Sequence, residues 1–194
     1  MSKPVKIFSK LDDIDFTSCV LSIGNFDGVH IAHQALLKKL LTKKKEYKSP
    51  SVVVSFEPHP VEFFTKKKIR LFSSKYMASQ LTKIGIDYLI LLKFDQELAS
   101  LSAKDFLEKK LQILRPKAIV VGTDFCFGNM ALGTADTLKA WSLSNGVDCY
   151  IFPDVYLGNS KVSSSRIRNC YEKNKLKELE DLLGRPATEL KNIK

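Results

Sequence analysis

The chain has 194 residues, 44% of them hydrophobic and 27% charged, and Lys plus Arg exceed Asp plus Glu by 31 − 21 = 10. That length suits one α/β domain with a full core, and the mixture is that of a globular protein rather than a disordered or fibrous one. The longest apolar run, residues 89–92, is far too short to cross a bilayer, and the opening MSKPVKIFSKLDD lacks the apolar stretch of a signal peptide, so the expectation is a cytoplasmic protein with no membrane partner.

Four cysteines, Cys19, Cys126, Cys149 and Cys170, form no C-x-x-C pair, which argues against a zinc site or a disulfide framework. Cys19 and Cys149 fall in predicted strands and are expected to be core thiols. The lysines stand in short clusters, Lys38-Lys39, Lys43 to Lys45 and Lys66 to Lys68, with no interleaved aromatics. A solvated helix face explains them better than a nucleic-acid surface, so no nucleic-acid partner is expected.

In chain order, residues 5–8 suggest a short strand and residues 19–25 a buried one. Gly24-Asn25-Phe26-Asp27-Gly28 is then a turn, and apolar residues at helical spacing predict a helix over 30–47. Residues 51–56, nearly all apolar and β-branched, read as a buried parallel strand that Glu57-Pro58-His59-Pro60 ends abruptly. A helix over 74–84 is closed by Gly85, a strand follows over 87–93, and a helix over 102–114 stops at Pro116. Residues 117–122 form a strand, 123–133 a loop with glycines, 134–145 a helix ended by Gly146, and 147–152 the last core strand. About five strands alternating with helices predict an α/β fold: a Rossmann-like open parallel sheet with helices on both faces and right-handed crossovers, binding ligands at the strands' carboxyl ends.

The unusual segments all fall at that end. Residues 21–40 read strand, tight turn, helix, with His30 and His33 in the helix's first turn; these are two of the chain's three histidines. A helix start carries free amides and partial positive charge, and two imidazoles add donors, so the stretch suits a phosphate whose charge grows in the transition state. In Ser55-Phe56-Glu57-Pro58-His59-Pro60, a rigid loop could display a phenylalanine as a flat wall, though taken alone the stretch reads better as a plain strand terminator. Gly122-Thr123-Asp124-Phe125-Cys126-Phe127-Gly128 places two aromatics and two glycines where a planar ligand or an apolar loop anchor would serve. Val162-Ser163-Ser164-Ser165-Arg166-Ile167-Arg168 is a serine-capped helix start carrying arginines, a second phosphate receptor; Arg166 is expected to face solvent and Arg168 the phosphates.

GNFDGVHIAH resembles the G-x-F-D-x-x-H-x-G-H signature of the nucleotidyltransferases with an H-x-G-H motif, Ala32 replacing the glycine. The four stretches in this order, completed by Leu182-Leu183-Gly184-Arg185-Pro186, resemble the adenylyltransferase domain of prokaryotic FAD synthetase over about residues 19–186. In many relatives arginine stands where this chain has Cys126.

The resemblance implies transfer of the adenylyl group of ATP to FMN, giving FAD and pyrophosphate, with Mg²⁺ accompanying ATP and no direct metal ligand assigned. It implies ATP binding by Gly24, Asn25, Phe26, Asp27, His30, His33, Ser163, Ser164 and Arg168, with His30, His33, Ser164 and Arg168 catalytic. FMN would meet Phe56, Pro58, His59, Asp124, Phe125 and Phe127, His59 serving the loop's architecture. The usual bacterial enzyme continues into a riboflavin kinase domain. The expectation here is a single domain over residues 1–194, without a kinase domain, whose FMN comes from a separate riboflavin kinase. The alternatives are another H-x-G-H transferase and a flavin- or nucleotide-binding protein without turnover.

Overall fold

The structure, a computed structural model, describes residues 3–186, so the expected domain runs at both ends beyond the described residues. In chain order the strands are β1 (Lys6–Phe8), β2 (Cys19–Ile23), β3 (Ser51–Glu57), β4 (Tyr88–Lys93), β5 (Pro116–Gly122), β6 (Cys126–Phe127), β7 (Gly133–Thr134), β8 (Asp148–Phe152), β9 (Tyr156–Leu157) and β10 (Ser160–Lys161). The helices are α1 (Ile31–Tyr47), α2 (Pro60–Thr65), α3 (Ser74–Ile84), α4 (Gln96–Ser100), α5 (Ala103–Phe106), α6 (Ala135–Ser144), α7 (Ser164–Glu172) and α8 (Leu176–Leu183). Six strands pair in parallel in the order β1-β4-β3-β2-β5-β8.

The order runs leftward from β2 to β3 and rightward from β2 to β5, so the switch point lies between β2 and β5, where open α/β sheets bind ligands. The central strands are apolar throughout because both faces are covered. Alternation sends Leu21, Val52, Val54, Ile119 and Val121 to one face, against Phe106, Leu107, Leu111 and Leu138. Val20, Val53, Leu89 and Val120 go to the other, against Leu36, Leu37 and Leu40 of α1 and Met77 and Leu81 of α3. A third cluster joins Phe72 and Tyr76 to Ile167, Leu179, Leu182 and Leu183, docking α7 and α8 beside α1 and α3.

Several local expectations change. Residues 6–8 make a sixth sheet strand on the edge. Pro60 ends β3's loop and also starts α2, where its missing N–H costs nothing. Gln96–Ser100, capped by Asp95, is too short to show a period in the sequence. The expected helix 102–114 is α5 followed by a π turn over Leu107–Leu111 and a 3-10 turn over Gln112–Leu114; Phe106, Leu107, Leu111 and Leu114 are all buried, so packing on the sheet prevails over an ideal period. The expected loop 123–133 contains half of a hairpin, Cys126 and Phe127 pairing with Thr134 and Gly133. Cys149 is only half-buried, whereas Cys19 is fully buried.

At the amino ends of the strands two lysines of α1 are paired with carboxylates. Lys43 meets Asp148 at 2.6 Å, and Lys44 meets Asp87 at 2.7 Å. The Asp87 carboxylate also accepts bonds from the backbone N–H and hydroxyl of Ser51, each at 2.8 Å, tying β3 to the start of β4. Burial pushes the Asp87 pKa up, but Lys44 and Ser51 outweigh it and hold it below the usual carboxylate range. A depressed folded pKa stabilises above the unfolded value of about 3.9 and the benefit is lost as pH falls through the folded value. Asp87→Asn should therefore cost about 1 kcal/mol at pH 7, discounted for partial exposure. In urea unfolding that gap should close in acid below about pH 4, where the wild-type carboxyl also takes a proton.

Candidate functional site

The chain leaves β2 at Ile23 through a left-handed turn. Phe26, Gly28 and Val29 have φ of 48°, 74° and 40°. Glycine accepts this freely, but a β-branched residue at positive φ costs roughly 1–3 kcal/mol and persists only where its surroundings enforce it. Here they do, because five consecutive carbonyls are each bonded. Asn25 O accepts from Ser55 Oγ at 3.2 Å, Phe26 O from Val29 N at 3.1 Å and Asp27 O from Ser164 Oγ at 3.4 Å. Gly28 O accepts from Arg185 Nη2; Val29 O accepts from Gln34 Nε2 at 2.9 Å and Arg185 Nη1 at 3.1 Å. Gly24 N donates to Val54 O at 3.1 Å, keeping the turn level with the end of β3.

His30 caps α1. Its Nδ1 accepts from His33 N at 3.3 Å, so a neutral His30 carries its proton on Nε2 as a donor. The two imidazoles stack at 3.5 Å between centroids, and Phe26 lies 5.0 Å from His33 on its far side. Burial lowers the His30 pKa to about 4, with Asp124 opposing and Arg185 assisting. Burial, with His30 adding to it, lowers that of His33 well below the ordinary value. Both are neutral donors or acceptors at pH 7 until an anion arrives beside them. The mutual influence of Asp124 and His30 also places the loop after β5 near the turn after β2.

The serine motif meets the same turn. Ser163 caps α7 by accepting from Arg166 N at 3.2 Å, while Ser164 reaches Asp27 O. Arg168 Nη1 lies 3.5 Å from Asp27 Oδ2 and its Nη2 donates to Ser165 Oγ at 3.0 Å. The Asp27 side chain is only 2% exposed and burial raises its pKa, against the pull of Arg70 and Arg168. Arg166 does not face solvent as expected. Its Nε and Nη2 donate to Glu178 Oε1 at 3.0 and 2.9 Å, and its Nη1 to Leu157 O and Ser160 O at 3.1 and 2.9 Å. The guanidinium thus stitches the β9–β10 hairpin to α8, and the helical register that turns Arg168 to Asp27 turns Arg166 to the hairpin.

Beside the turn is an apolar cavity of about 240 Å³, lined by Phe56, Phe64, Phe94, Phe106, Phe127 and Cys126 among others. It is smaller than the roughly 300–1,000 Å³ that encloses a drug-sized ligand, so it suits one flat ring system rather than a whole nucleotide. Of the residues expected at a ring site, Phe56 and Phe127 line it. Phe125 stacks on Phe127 at 5.3 Å, and Asp124 pairs with Lys161 at 3.2 Å. Pro58 is exposed in the loop after Phe56. His59 is buried, caps α2 through Nδ1 to Val61 N at 3.2 Å, and has its pKa lowered to about 4, chiefly by burial. Ser55 and Phe56 are neighbours: one holds the turn, the other walls the cavity.

Three residues without an expected role also belong here. Arg70, with a side chain only 7% exposed, donates to Phe56 O at 2.8 Å and Glu57 Oε2 at 3.2 Å, and its Nε is buried without a partner. Asn25 Oδ1, Asp27 Oδ1 and His33 Nδ1 are likewise buried and unpartnered. Arg185 and Gln34 hold the turn, Gln34 also donating to Leu183 O at 2.8 Å. One sequence signal pointed at the arginines: the chain has 26 lysines but only five arginines, and Arg70, Arg166, Arg168 and Arg185 gather around this site.

The FAD synthetase family model matches residues 13–166. A bifunctional riboflavin kinase/FMN adenylyltransferase of Pseudomonas fluorescens is 39% identical over 171 residues, 87% of this chain and 55% of that protein. The protein of the same description from Escherichia coli K12 is 36% identical over the same shares. The chain spans about half the length of these curated relatives. A Streptococcus pneumoniae structure described as a macrolide-efflux protein superposes with a TM-score of 0.83 at 28% identity, covering 95% of this chain and 61% of that one. Pantothenate synthetase of Thermus thermophilus superposes with a TM-score of 0.55 at 12% identity, covering 96% and 79%, a likeness of fold alone.

Two outcomes are expected. A histidine held neutral, with its folded pKa near 4 and unfolded pKa near 6.5, destabilises the fold as pH drops between those values, because the unfolded chain binds more protons. The melting temperature should fall over that range, and less steeply in His30→Phe; equal slopes would mean His30 is not held neutral. Arg166→Lys keeps the charge but loses the four-bond fork, so urea unfolding should register a loss of about 1–3 kcal/mol.

Proposed function

The chain belongs to the FAD synthetase family, and on that premise we propose that it transfers the adenylyl group of ATP to FMN. An FMN phosphate oxygen forms a bond to the α-phosphorus, the bond from that phosphorus to the bridging oxygen of the β-phosphate breaks, and pyrophosphate leaves. The observation that carries the reading is the contact of two unlike subsites. Phe56 lines an apolar cavity, and its neighbour Ser55 bonds the turn that opens α1.

In this reading the cavity takes the flavin ring between Phe56 and Phe127, with Phe125 backing Phe127 and Pro58 and Asp124 at the rim. Cys126 leaves that wall uncharged where many relatives carry arginine. His59 shapes the loop. Gly24, Asn25, Phe26 and Asp27 hold the triphosphate with the start of α1, while Ser163 and Ser164 receive it from α7. His30 and His33, neutral in the free protein, gain protons or donate hydrogen bonds as phosphate charge develops. Arg168, parked on Asp27 in the free protein, turns its fork to the leaving pyrophosphate. No protein nucleophile is required, because the work is placement and charge stabilisation.

Among the described residues no three His, Cys, Asp or Glu side chains gather as a metal cage. Mg²⁺ ordinarily keeps waters and uses substrate phosphates plus one or two carboxylates, a demand that the unpartnered Asp27 Oδ1 fits. Bound with ATP, it would neutralise phosphate charge. Among the described residues no helix is long and apolar enough to cross a membrane. We place the reaction in the cytoplasm, with ATP and FMN as its two substrates.

Incubating the 194-residue chain with FMN, ATP and Mg²⁺ should give FAD and pyrophosphate by chromatography. Bound FMN without FAD would favour a flavin-binding protein. Arg168→Lys should lose mainly kcat, on the order of 10²-fold, since a fixed fork at a leaving group acts in the transition state.

A further inference from the structure

We infer that Arg185, with Gln34, is a positioning residue for the triphosphate: it holds the left-handed turn from behind, so that the turn offers amides and not carbonyls to ATP. The inference rests on the adenylyltransferase reading and adds to it a residue about 150 positions downstream of the turn, outside the family model's match to residues 13–166.

The route to Arg185 is explicit. Leu182 and Leu183 of α8 are fully buried against Phe72 and Tyr76. Gly184 then reverses the chain at φ 66°, and a Cβ there would lie 2.8 Å from Ile31 Cγ2, so α8 ends pressed on the first residue of α1. That reversal delivers Arg185 beneath the turn. Its Nε donates to Tyr76 Oη at 2.9 Å and its Nη1 to Leu183 O at 3.1 Å, which fixes the plane of the guanidinium. The remaining donors go to Gly28 O and Val29 O. These carbonyls belong to two of the three left-handed residues, and Val29 is the one least able to hold that conformation by itself. Gln34 repeats the bridge between Val29 O and Leu183 O.

Two effects on an anion follow. The carbonyl dipoles, which would repel phosphate, are engaged on the protein side. The guanidinium also adds positive potential at the start of α1, which is felt at His30. Lysine could supply the charge but not four directed bonds from one plane. The four bonds of Arg185 go to Tyr76, Leu183, Gly28 and Val29, none of which lines the apolar cavity.

The test is calorimetric binding of Mg·ATP and, separately, of FMN to the full chain, in wild type, Arg185→Gln, Arg185→Lys and Gln34→Met. Arg185→Gln should weaken ATP about tenfold or more while FMN affinity stays within about twofold, with Arg185→Lys between it and wild type. His30, followed by imidazole NMR, should titrate at higher pH in Arg185→Gln. Unchanged ATP affinity in a folded Arg185→Gln overturns the inference, and so does a parallel loss of ATP and FMN affinity, which marks a general loss of structure. Should Arg185→Gln fail to fold, Gln34→Met decides by the same comparison. Wild type that binds neither ligand overturns the adenylyltransferase reading itself.

Discussion

Everything at the carboxyl end of the sheet depends on a turn that the chain would not adopt unaided. Phe26, Gly28 and Val29 are left-handed within four residues, and only one is glycine. The conformation persists because five carbonyls in a row find donors, and those donors come from β3, α1, α7 and the end of α8. The turn is therefore a junction. The strand that walls the cavity, the helix that carries the histidines and the helix that carries Arg168 are all tied to one short stretch of backbone. Pairing that is local in the sequence, such as Val29 N to Phe26 O, sets the shape, and long-range pairing sets its permanence.

The electrostatics have the same economy. Arg70, Arg168 and Arg185 converge near one buried carboxylate and two imidazoles held neutral. A fully protonated pair of stacked histidines beside three arginines would repel itself; neutral imidazoles let the arginines stand together. On the proposed reading a triphosphate would satisfy the guanidinium groups and raise the imidazole pKa values at once. Asp27 stands in for part of that charge in the free protein by pairing with Arg168. The cavity next door has the opposite character, five phenylalanines and an uncharged thiol, and this contrast separates a phosphate subsite from a ring subsite.

Much of this was legible in the sequence because the informative features are local. Apolar runs bounded by Gly and Pro marked the strands, and helix 74–84 was readable to the residue, with Gly85 as its stop. The phosphate turn, the histidine pair and the serine cap were visible for the same reason: each is a short stretch whose residue types carry the chemistry. The misses came where a short element has no period to display, as at Pro60–Thr65 and Gln96–Ser100. They also came where tertiary contact decides direction. Arg166 and Arg168 are two apart on one helix and look alike in sequence; which one meets the turn depends on where the β9–β10 hairpin and Glu178 lie. His59, by contrast, is read as serving its loop's architecture, and its ring caps α2.

The end of α8 carries the contrast furthest. Leu182-Leu183-Gly184-Arg185-Pro186 is conspicuous as a motif, yet no residue type in it names a chemistry. Its meaning is a distance: Arg185 and the carbonyls it holds are 156 and 157 positions apart, and Gln34 is 149 from Leu183. The turn between β2 and α1 is thus held in part by the residues that end α8, and not only by the strand and helix that flank it. On the proposed reading, a residue with no reach into the crevice then shapes the phosphate site as much as the histidines do.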